Sequence, residues 1–488
     1  MRASRPGMPS DPCCSSFCRI VIRMSEDIPL AAPLRRLLKL GGLVGRVGAS
    51  VATQTVLGLG GPASAREARR RETLAKNAAR IVATLGELKG AAMKVGQMLS
   101  LHEGLLPREV TEALRALQRE APRIPFEVVA YELDSALPEW RKVFRHLEPE
   151  AFAAASIGQV HRGELHDGRA VAVKVQYPLI DRILEADLGN LKLLLETLFA
   201  LVSAADFEPI WLEVRDRLRE EVDYQREAAM IERARALYAG DESVVIPALV
   251  PEASARRVLT TEYEGGLAPD AACSPAVDPA LRDRWGQVLF GFVLRGLFEH
   301  RSVHADPNLS NFAFRRDGRV VVYDWGCVKE VPDAVASGYA RLARAALAGE
   351  VEAVPGVLRD LGVCREEGQA LEAAVVRPYV ELFGGVFRAA PPYRFGEDET
   401  FYPRLVELGW SNAGDVSALQ LPHDVVFIDR ALAGLFGNLV RLRSSGPWRE
   451  RLLALAARAP TASPAGPPPR ARARRRRVRL PLRRAKKG

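Results

Sequence analysis

The chain has 488 residues, 48% hydrophobic and 26% charged, with a formal net charge of +9. That length and composition suit a soluble globular protein of two or three domain-sized units with a large core. Eleven Lys or Arg and no acid lie between Arg470 and Gly488, and removing these eleven from +9 leaves the remainder at −2. The basic character therefore belongs to a tail, and nucleic acid is not an expected partner. No apolar stretch of about 18 uninterrupted residues appears, which excludes a simple transmembrane helix; Leu193 to Ala205 comes nearest and is broken by Glu196. The six cysteines (Cys13, Cys14, Cys18, Cys273, Cys327 and Cys364) form no repeated C-x-x-C pattern with histidine. A zinc site is not expected, and a reducing compartment is the simpler reading.

In chain order, residues 1–33 read as a disordered leader without a clean secretory core, and Met24 is an alternative start. Residues 34–125 read as a helical extension. Leu34 to Leu43 places apolar residues at helical spacing beside Arg35, Arg36 and Lys39, which suits either an anionic membrane surface or a helix packed on the fold. Leu85 to Ser100 carries Gly86, Gly90 and Gly96 inside a helical pattern, at about 1 kcal/mol each against alanine. Such a helix implies close approach to another backbone. Lys94 and Gln97 are three apart and share a face.

Residues 126–266 form the next unit. Phe126 to Leu137 predicts a helix ended by Pro138, and Phe144 to Leu147 the start of a sheet. Alternation from Ile157 to Leu165, an Asp167-Gly168 turn and Ala170 to Gln176 predict a hairpin. Val171-Ala172-Val173-Lys174 places a lysine on the second strand, as in a kinase third strand, where it meets nucleotide phosphates. The residues before Ile157, Ala153-Ala154-Ala155-Ser156, stand where a glycine-rich loop would cover those phosphates. Alanine does not readily take positive φ, so this segment is expected to cradle them differently. Two helices follow, Leu179 to Ala204 and Glu208 to Leu237. On the second, Glu220, Asp223 and Glu227 share a face and Glu221 lies elsewhere, so one acid can reach Lys174. Val244 to Pro247 and Arg257 to Tyr263 read as strands. The connector at Glu262 and Tyr263 is positioned to offer backbone groups to an adenine edge before Glu264-Gly265-Gly266 breaks the pattern.

Residues 267–458 form a mostly helical unit. Asp283 to His300 predicts a helix ending just before His304-Ala305-Asp306-Pro307-Asn308-Leu309-Ser310-Asn311. Then strand Arg319 to Tyr323 delivers Asp324-Trp325-Gly326. H-x-D-x-x-x-x-N followed by a strand and an Asp is the layout of a phosphoryl-transfer site. Asp306 orients the nucleophile or acts as base, and Asn311 and Asp324 hold Mg²⁺. Helical patterns continue to about Ala457, with Pro422 to Leu442 read as the last amphipathic helix. Residues 459–488 form a Pro-rich, then Arg-rich tail, expected to be disordered.

Five motifs then stand in order: Lys94-Val95-Gly96-Gln97, the Ala-rich segment with Ser156-Ile157-Gly158-Gln159-Val160-His161, Val173-Lys174-Val175-Gln176-Tyr177-Pro178, Glu221-Val222-Asp223-Tyr224 with Glu227-Ala228, and His304-Ala305-Asp306-Pro307. Over roughly residues 34 to 445 the chain resembles the UbiB (AarF) family of atypical protein-kinase-like proteins, which includes the mitochondrial coenzyme Q kinases. The resemblance implies an α+β, two-lobed protein-kinase-like fold with an N-terminal helical extension. It also implies ATP or ADP with Mg²⁺ as cofactors, ATPase or phosphotransferase activity with protein phosphorylation suppressed, and a role in ubiquinone biosynthesis. Lys174 would hold the α/β-phosphates and Glu227 would position it. The helix bearing Lys94, Gly96 and Gln97 would lie over the site, with its lysine on Glu221 and Asp223. Anionic membrane surfaces and lipid-like quinone precursors are the implied partners, the site of action being cytoplasmic or peripheral on the membrane's inner face; a homodimer stays open. The chain departs from the family at Asn308-Leu309-Ser310, at Trp325 in place of phenylalanine, at Leu117-Gln118-Arg119 and in its Arg-rich end. A small-molecule phosphotransferase of the aminoglycoside or choline type and a non-catalytic nucleotide-sensing scaffold are the alternative readings.

Overall fold

Four strands, β1 (Phe144–Ala155), β2 (Gly158–Leu165), β3 (Ala170–Gln176) and β5 (Val258–Glu262), build an antiparallel sheet in the order β1-β2-β3-β5. The computed structural model describes Lys76 and residues 123–155, 157–178, 208–306, 308–365, 368–388, 392–398 and 422–461, with 180, 188–189, 192–193, 195–196, 400–401, 403–404 and 407–408 between them. The β2–β3 turn is the predicted one: Gly168 takes φ +89° and the Asp167 carboxylate accepts the Arg169 N–H at 3.0 Å. Alternation along β3 buries Val171, Val173 and Val175 against Val129 and Leu133 of helix α1 (Phe126–Ala136). Each valine so buried stabilises the lobe by roughly 1.5–3 kcal/mol. The same alternation turns Lys174 to the opposite face of the sheet.

The alanine segment is not the loop expected from sequence. Ala153, Ala154 and Ala155 complete β1, opposite Val160, Gln159 and Gly158. Alanine tolerates extended backbone, and pairing satisfies its peptide groups, so the strand outlasts the predicted break and runs through Ala155, with β2 beginning at Gly158. Gly158 has a steric role here. A Cβ added to it would lie 2.2 Å from the Val175 carbonyl oxygen and 3.1 Å from the Gln176 Cα, both backbone atoms of β3. Gly158→Ala is expected to cost about 1–3 kcal/mol, read as a lowered Tm in thermal melts; an unchanged Tm would mean that β2 lifts off β3 freely.

The single predicted helix Glu208 to Leu237 is two helices, α2 (Glu208–Glu221) and α3 (Tyr224–Leu237). Asp223 is the N-cap of α3, its carboxylate accepting the Gln225 N–H at 3.0 Å and the Arg226 N–H at 3.3 Å. Capping two otherwise unpaired amides outweighs the helical spacing that joins Glu220 to Glu227. Of Leu179 to Ala204, residues 180, 188–189, 192–193 and 195–196 are described, and they are helical.

The larger lobe is organised on helix α4 (Pro279–Arg295), started by proline in its first turn and capped by Asp278, which accepts the Ala280 N–H at 2.9 Å. A π-helical turn, Gly296–His300, extends α4. Gly296 lets that turn touch the next strand, since a Cβ there would sit 2.8 Å from the Ser302 carbonyl. Strand β6 (Ser302–His304) follows, then β7 (Phe312–Phe314), β8 (Val320–Val322) and β9 (Val328–Glu330). β7 and β8 pair antiparallel, as do β6 and β9. Strand β4 (Val244–Val245) pairs parallel with β8, so this dipeptide joins the larger lobe's sheet, not the four-stranded one. Helices α5 (Asp333–Ala348), α6 (Val354–Asp360), α7 (Ala373–Arg388), α8 (His423–Leu442) and α9 (Trp448–Ala456) complete the lobe. The predicted last helix is thus followed by another, anchored by the buried Trp448, whose indole N–H donates to the Tyr393 carbonyl at 2.8 Å. Among the described residues, no helix is long and apolar enough to cross a membrane.

Candidate active site

Two acids and a lysine meet at the junction of the lobes, each delivered by a different element. Lys174, on the site face of β3, donates to both carboxylate oxygens of Glu227 at 2.9 and 3.0 Å. Its ammonium also lies 3.7 Å from Asp324 and 4.9 Å from the centroid of the Tyr224 ring. Glu227 reaches it from the first turn of α3, which only the break at Asp223 makes possible. The Glu227 carboxyl is 6% exposed, and desolvation raises its pKa to about 7 against the opposing pull of Lys174. For Lys174, burial pulls downward, but the fields of Asp324 and Glu227 win, and its pKa lies well above the ordinary lysine value. The lysine is therefore a fixed cation at neutral pH.

Asp324 lies two residues beyond the end of β8. One of its oxygens accepts the Gly326 N–H at 2.9 Å, which leaves the other toward Lys174. Trp325 is buried, its indole N–H donating to the Val322 carbonyl at 3.2 Å. It meets His304 edge-on, ring centroids 5.4 Å apart, and Phe292 likewise at 6.0 Å. The larger ring thus fills the core of the lower lobe, and the Lys174–Glu227 pair forms with tryptophan in that place. His304 also bonds the Asp324 carbonyl through Nε2; a carbonyl only accepts, so Nε2 carries the proton. His304 is a tether for Asp324 that its place in the loop motif did not reveal.

The catalytic loop holds its own shape. Asp306, 7% exposed, accepts the Asn308 N–H at 3.2 Å, and Asn308 in turn accepts the Ser310 N–H at 3.1 Å. These two Asx turns give a physical role to Asn308, the residue with which the chain's own loop interior begins. Asn311 donates its amide to the Asp306 carbonyl at 3.4 Å, and its own carbonyl accepts the Tyr323 N–H at 2.9 Å. The amide oxygen of Asn311 is left as an acceptor. It and the Asp324 carboxylate would supply oxygen donors of the kind Mg²⁺ takes, its shell completed by phosphates and water. From below, Arg430 of α8 donates through Nε at 3.1 Å and Nη2 at 2.5 Å to the Ala305 carbonyl. Arg430 is a positioning residue that helical periodicity alone could not single out.

The other predicted residues divide. The N–H groups of Glu262 and Tyr263 are both used by the sheet, donating to Ala248 and Ala170 at 2.8 Å each. Those two residues have only carbonyls to offer an adenine. Glu264, not singled out from sequence, is braced by Arg315 at 2.8 Å, and its carbonyl accepts the Tyr323 hydroxyl at 2.7 Å. Glu221 ends α2 beside the Lys174 cluster and contributes to its field, whereas Asp223 spends its carboxylate on the α3 cap. Lys94, Gly96, Gln97 and Ser156 lie outside the described residues, as do the leader, Leu34 to Leu43 and the Arg-rich tail.

The Gly158-Gln159-Val160-His161 motif clamps the segment entering α1. Gln159 is buried and pairs both ways with the Ile124 peptide, accepting its N–H at 2.9 Å and donating to its carbonyl at 3.3 Å. His161, whose pKa is lowered by burial, donates through Nδ1 to the Glu148 carbonyl at 2.8 Å and accepts from the Gln159 amide at 2.9 Å. Phe126 packs on its ring at 5.7 Å. The clamp ties the chain arriving from the extension to β2.

A sheet-bearing lobe that supplies a lysine, a helix that supplies its acid, and a lower lobe that supplies an H-x-D-x-x-x-x-N loop and a metal-type Asp define a kinase-like protein. Residues 116–357 match the model of the ABC1 atypical kinase-like domain. The chain is 33% identical over 375 residues to the mitochondrial atypical kinase COQ8B of Rattus norvegicus, covering 76% of this chain and 70% of that one. It is 34% identical over 333 residues to COQ8B of Danio rerio, covering 66% and 52%. With the mitochondrial atypical kinase coq-8 of Caenorhabditis elegans it shares 31% over 391 residues, covering 77% and 51%. The chain thus spans about half the length of the fish and nematode relatives. Among solved structures, the Rv3197–erythromycin complex from Mycobacterium tuberculosis superposes with a TM-score of 0.59 at 27% identity, covering 81% of this chain and 98% of that one. The chain belongs to the ABC1 (UbiB) family of atypical kinases, related to the mitochondrial coenzyme Q kinases.

Proposed function

We propose that the chain binds ATP with Mg²⁺ between its lobes and transfers or hydrolyses the γ-phosphoryl group in support of ubiquinone biosynthesis. The observation that carries this reading is the convergence of Lys174, Glu227 and Asp324 at 2.9–3.7 Å, with Asp306 and Asn311 fixed on the adjoining loop. Lys174 holds the α/β-phosphates, and Glu227 keeps it from swinging to solvent. Asn311 and Asp324 hold Mg²⁺, which when bound supplies neutralisation of the phosphate charge. Asp306 accepts the proton of the attacking hydroxyl or orients a water. The Lys94-Val95-Gly96-Gln97 motif is the part of the chain to which we assign restricted access by protein substrates, with Glu221 as its acidic counterpart, since Asp223 is spent on the α3 cap. The relatives' names support a link to quinone synthesis, and the tail with its eleven basic residues supports peripheral attachment to an anionic membrane, each charge near the surface gaining about 1 kcal/mol. ATP turnover with and without anionic liposomes, in wild type and Asp306→Asn, tests the reading. Turnover that rises with liposomes and falls at least roughly 100-fold in the variant is expected on general-base grounds. Equal turnover in the two would remove Asp306 from the chemistry, and none in wild type would favour a nucleotide-sensing scaffold.

A further inference from the structure

Away from the nucleotide site, helices α4, α5, α7 and α8 of the larger lobe line an open-sided cavity of about 570 Å³. Its walls are apolar, including Phe290, Leu294, Leu347, Val376, Phe383 and Phe436. Its volume lies within the range of small-molecule sites. One carboxyl opens into it. Asp429 of α8 accepts the Tyr339 hydroxyl at 2.6 Å, and its remaining surface is open to the cavity. Tyr379 and Arg365 also reach the wall; the Tyr379 hydroxyl is spent on the Leu408 carbonyl at 2.9 Å. Desolvation by the neighbouring apolar side chains raises the Asp429 pKa to about 6, although the residue keeps substantial accessible surface on the cleft side. The Tyr339 hydroxyl meets one carboxylate oxygen, and a second donor arriving in the cleft would offset the cost of holding the other against apolar walls.

The next residue along the helix is Arg430, whose guanidinium grips the Ala305 carbonyl of the catalytic loop. Consecutive helical residues diverge by about 100°, so α8 shows one side chain to the cavity and its neighbour to the loop. We propose that the cavity binds an apolar small molecule ending in a hydrogen-bond donor, a hydroxyl or an amine, whose donor is taken by Asp429. Occupancy is transmitted along α8 to the catalytic loop through Arg430. A carboxylate seated at Asp429 is disfavoured, because it would meet like charge there, whereas the Arg365 guanidinium elsewhere on the wall would attract it.

The transmission rests on the nucleotide-site reading; the binding does not, and it is measured first, without nucleotide. The full chain is titrated by calorimetry with 1-decanol, decylamine and decanoate, each below its micelle-forming concentration. Saturable binding of the alcohol or the amine is expected, at least tenfold tighter than decanoate, and the better of the two identifies the head group. Asp429→Asn is expected to abolish the discrimination against decanoate. Ala433→Phe fills the cavity from α8 and Ala346→Phe fills it from α5; each is expected to weaken binding at least tenfold. Affinity for a fluorescent ATP analogue is then expected to shift at least threefold when wild type is loaded with the better ligand, and not in Ala433→Phe. Binding of neither probe, or binding undiminished in both filling variants, overturns the site. Binding with no shift in nucleotide affinity overturns the transmission. An analogue that fails to bind even the unloaded protein overturns the nucleotide reading and leaves the cavity result standing.

Discussion

Asp324→Asn is expected to lower Mg²⁺-dependent nucleotide affinity by roughly 100-fold, about 2.7 kcal/mol, while leaving the fold in place. The substitution keeps the shape of the side chain and an oxygen for the Gly326 N–H, which Asp324 accepts at 2.9 Å. It removes the carboxylate charge proposed to meet the metal, and Mg²⁺ strongly prefers charged oxygen ligands. The Lys174–Glu227 pair, bidentate at 2.9 and 3.0 Å, does not depend on Asp324 and should persist. The variant should therefore melt near the wild-type Tm and still bind nucleotide weakly without metal. Fluorescent-nucleotide titrations with Mg²⁺ and with EDTA separate the two terms. Retained Mg²⁺ dependence in Asp324→Asn would move the metal to other residues, and a collapse of metal-free binding as well would show that Asp324 acts on Lys174 instead.

How much of this was legible beforehand depends on the range over which each signal acts. The β2–β3 hairpin was readable because its evidence is local: alternating valines, an Asp-Gly turn and a positive φ at Gly168. Lys174 and Asp324 were likewise placed by short motifs at strand ends. The partner of Lys174 was harder, since Glu220, Asp223 and Glu227 satisfy the same helical spacing. What resolved the choice is the cap: Asp223 leaves the helix to accept two amides, which restarts α3 and sends Glu227 inward. Tertiary pairing hid the rest. The dipeptide Val244–Val245 carries no information on which sheet it joins, and it pairs with Val320–Val321 some 75 residues on. Arg430 serves a carbonyl 125 residues away, and Gln159 a peptide 35 residues back. Such side-chain-to-backbone bonds leave no periodic trace in the chain. The alanine segment misled for the opposite reason: small residues suit a loop or a strand equally, and the register against Gly158-Gln159-Val160 decided it.

Glu227→Gln is expected to change the pH dependence of stability, and the sign follows from burial. Desolvation raises the Glu227 pKa from 4.5 to about 7 in the folded protein. Between these values the folded state keeps a proton that the unfolded state has released. The contribution of this group to stability is therefore fully present below pH 4.5 and is lost as pH rises through about 7. Integrated over that interval the loss is about 3 kcal/mol. Lys174 adds no slope in this window, because its pKa lies well above 10.5 and it stays charged throughout. Glutamine does not titrate. It keeps the length of the side chain and can still accept from Lys174, so the variant retains the local geometry with the pH-sensitive step removed. Denaturant unfolding at pH 5, 6, 7 and 8 should show wild type losing stability relative to Glu227→Gln across the series. A difference that is flat with pH would mean that Lys174 holds Glu227 ionised throughout. Either result bears on nucleotide binding, because a neutral Glu227 leaves Lys174 and Asp324 as the one-to-one charge pair that incoming phosphate must separate.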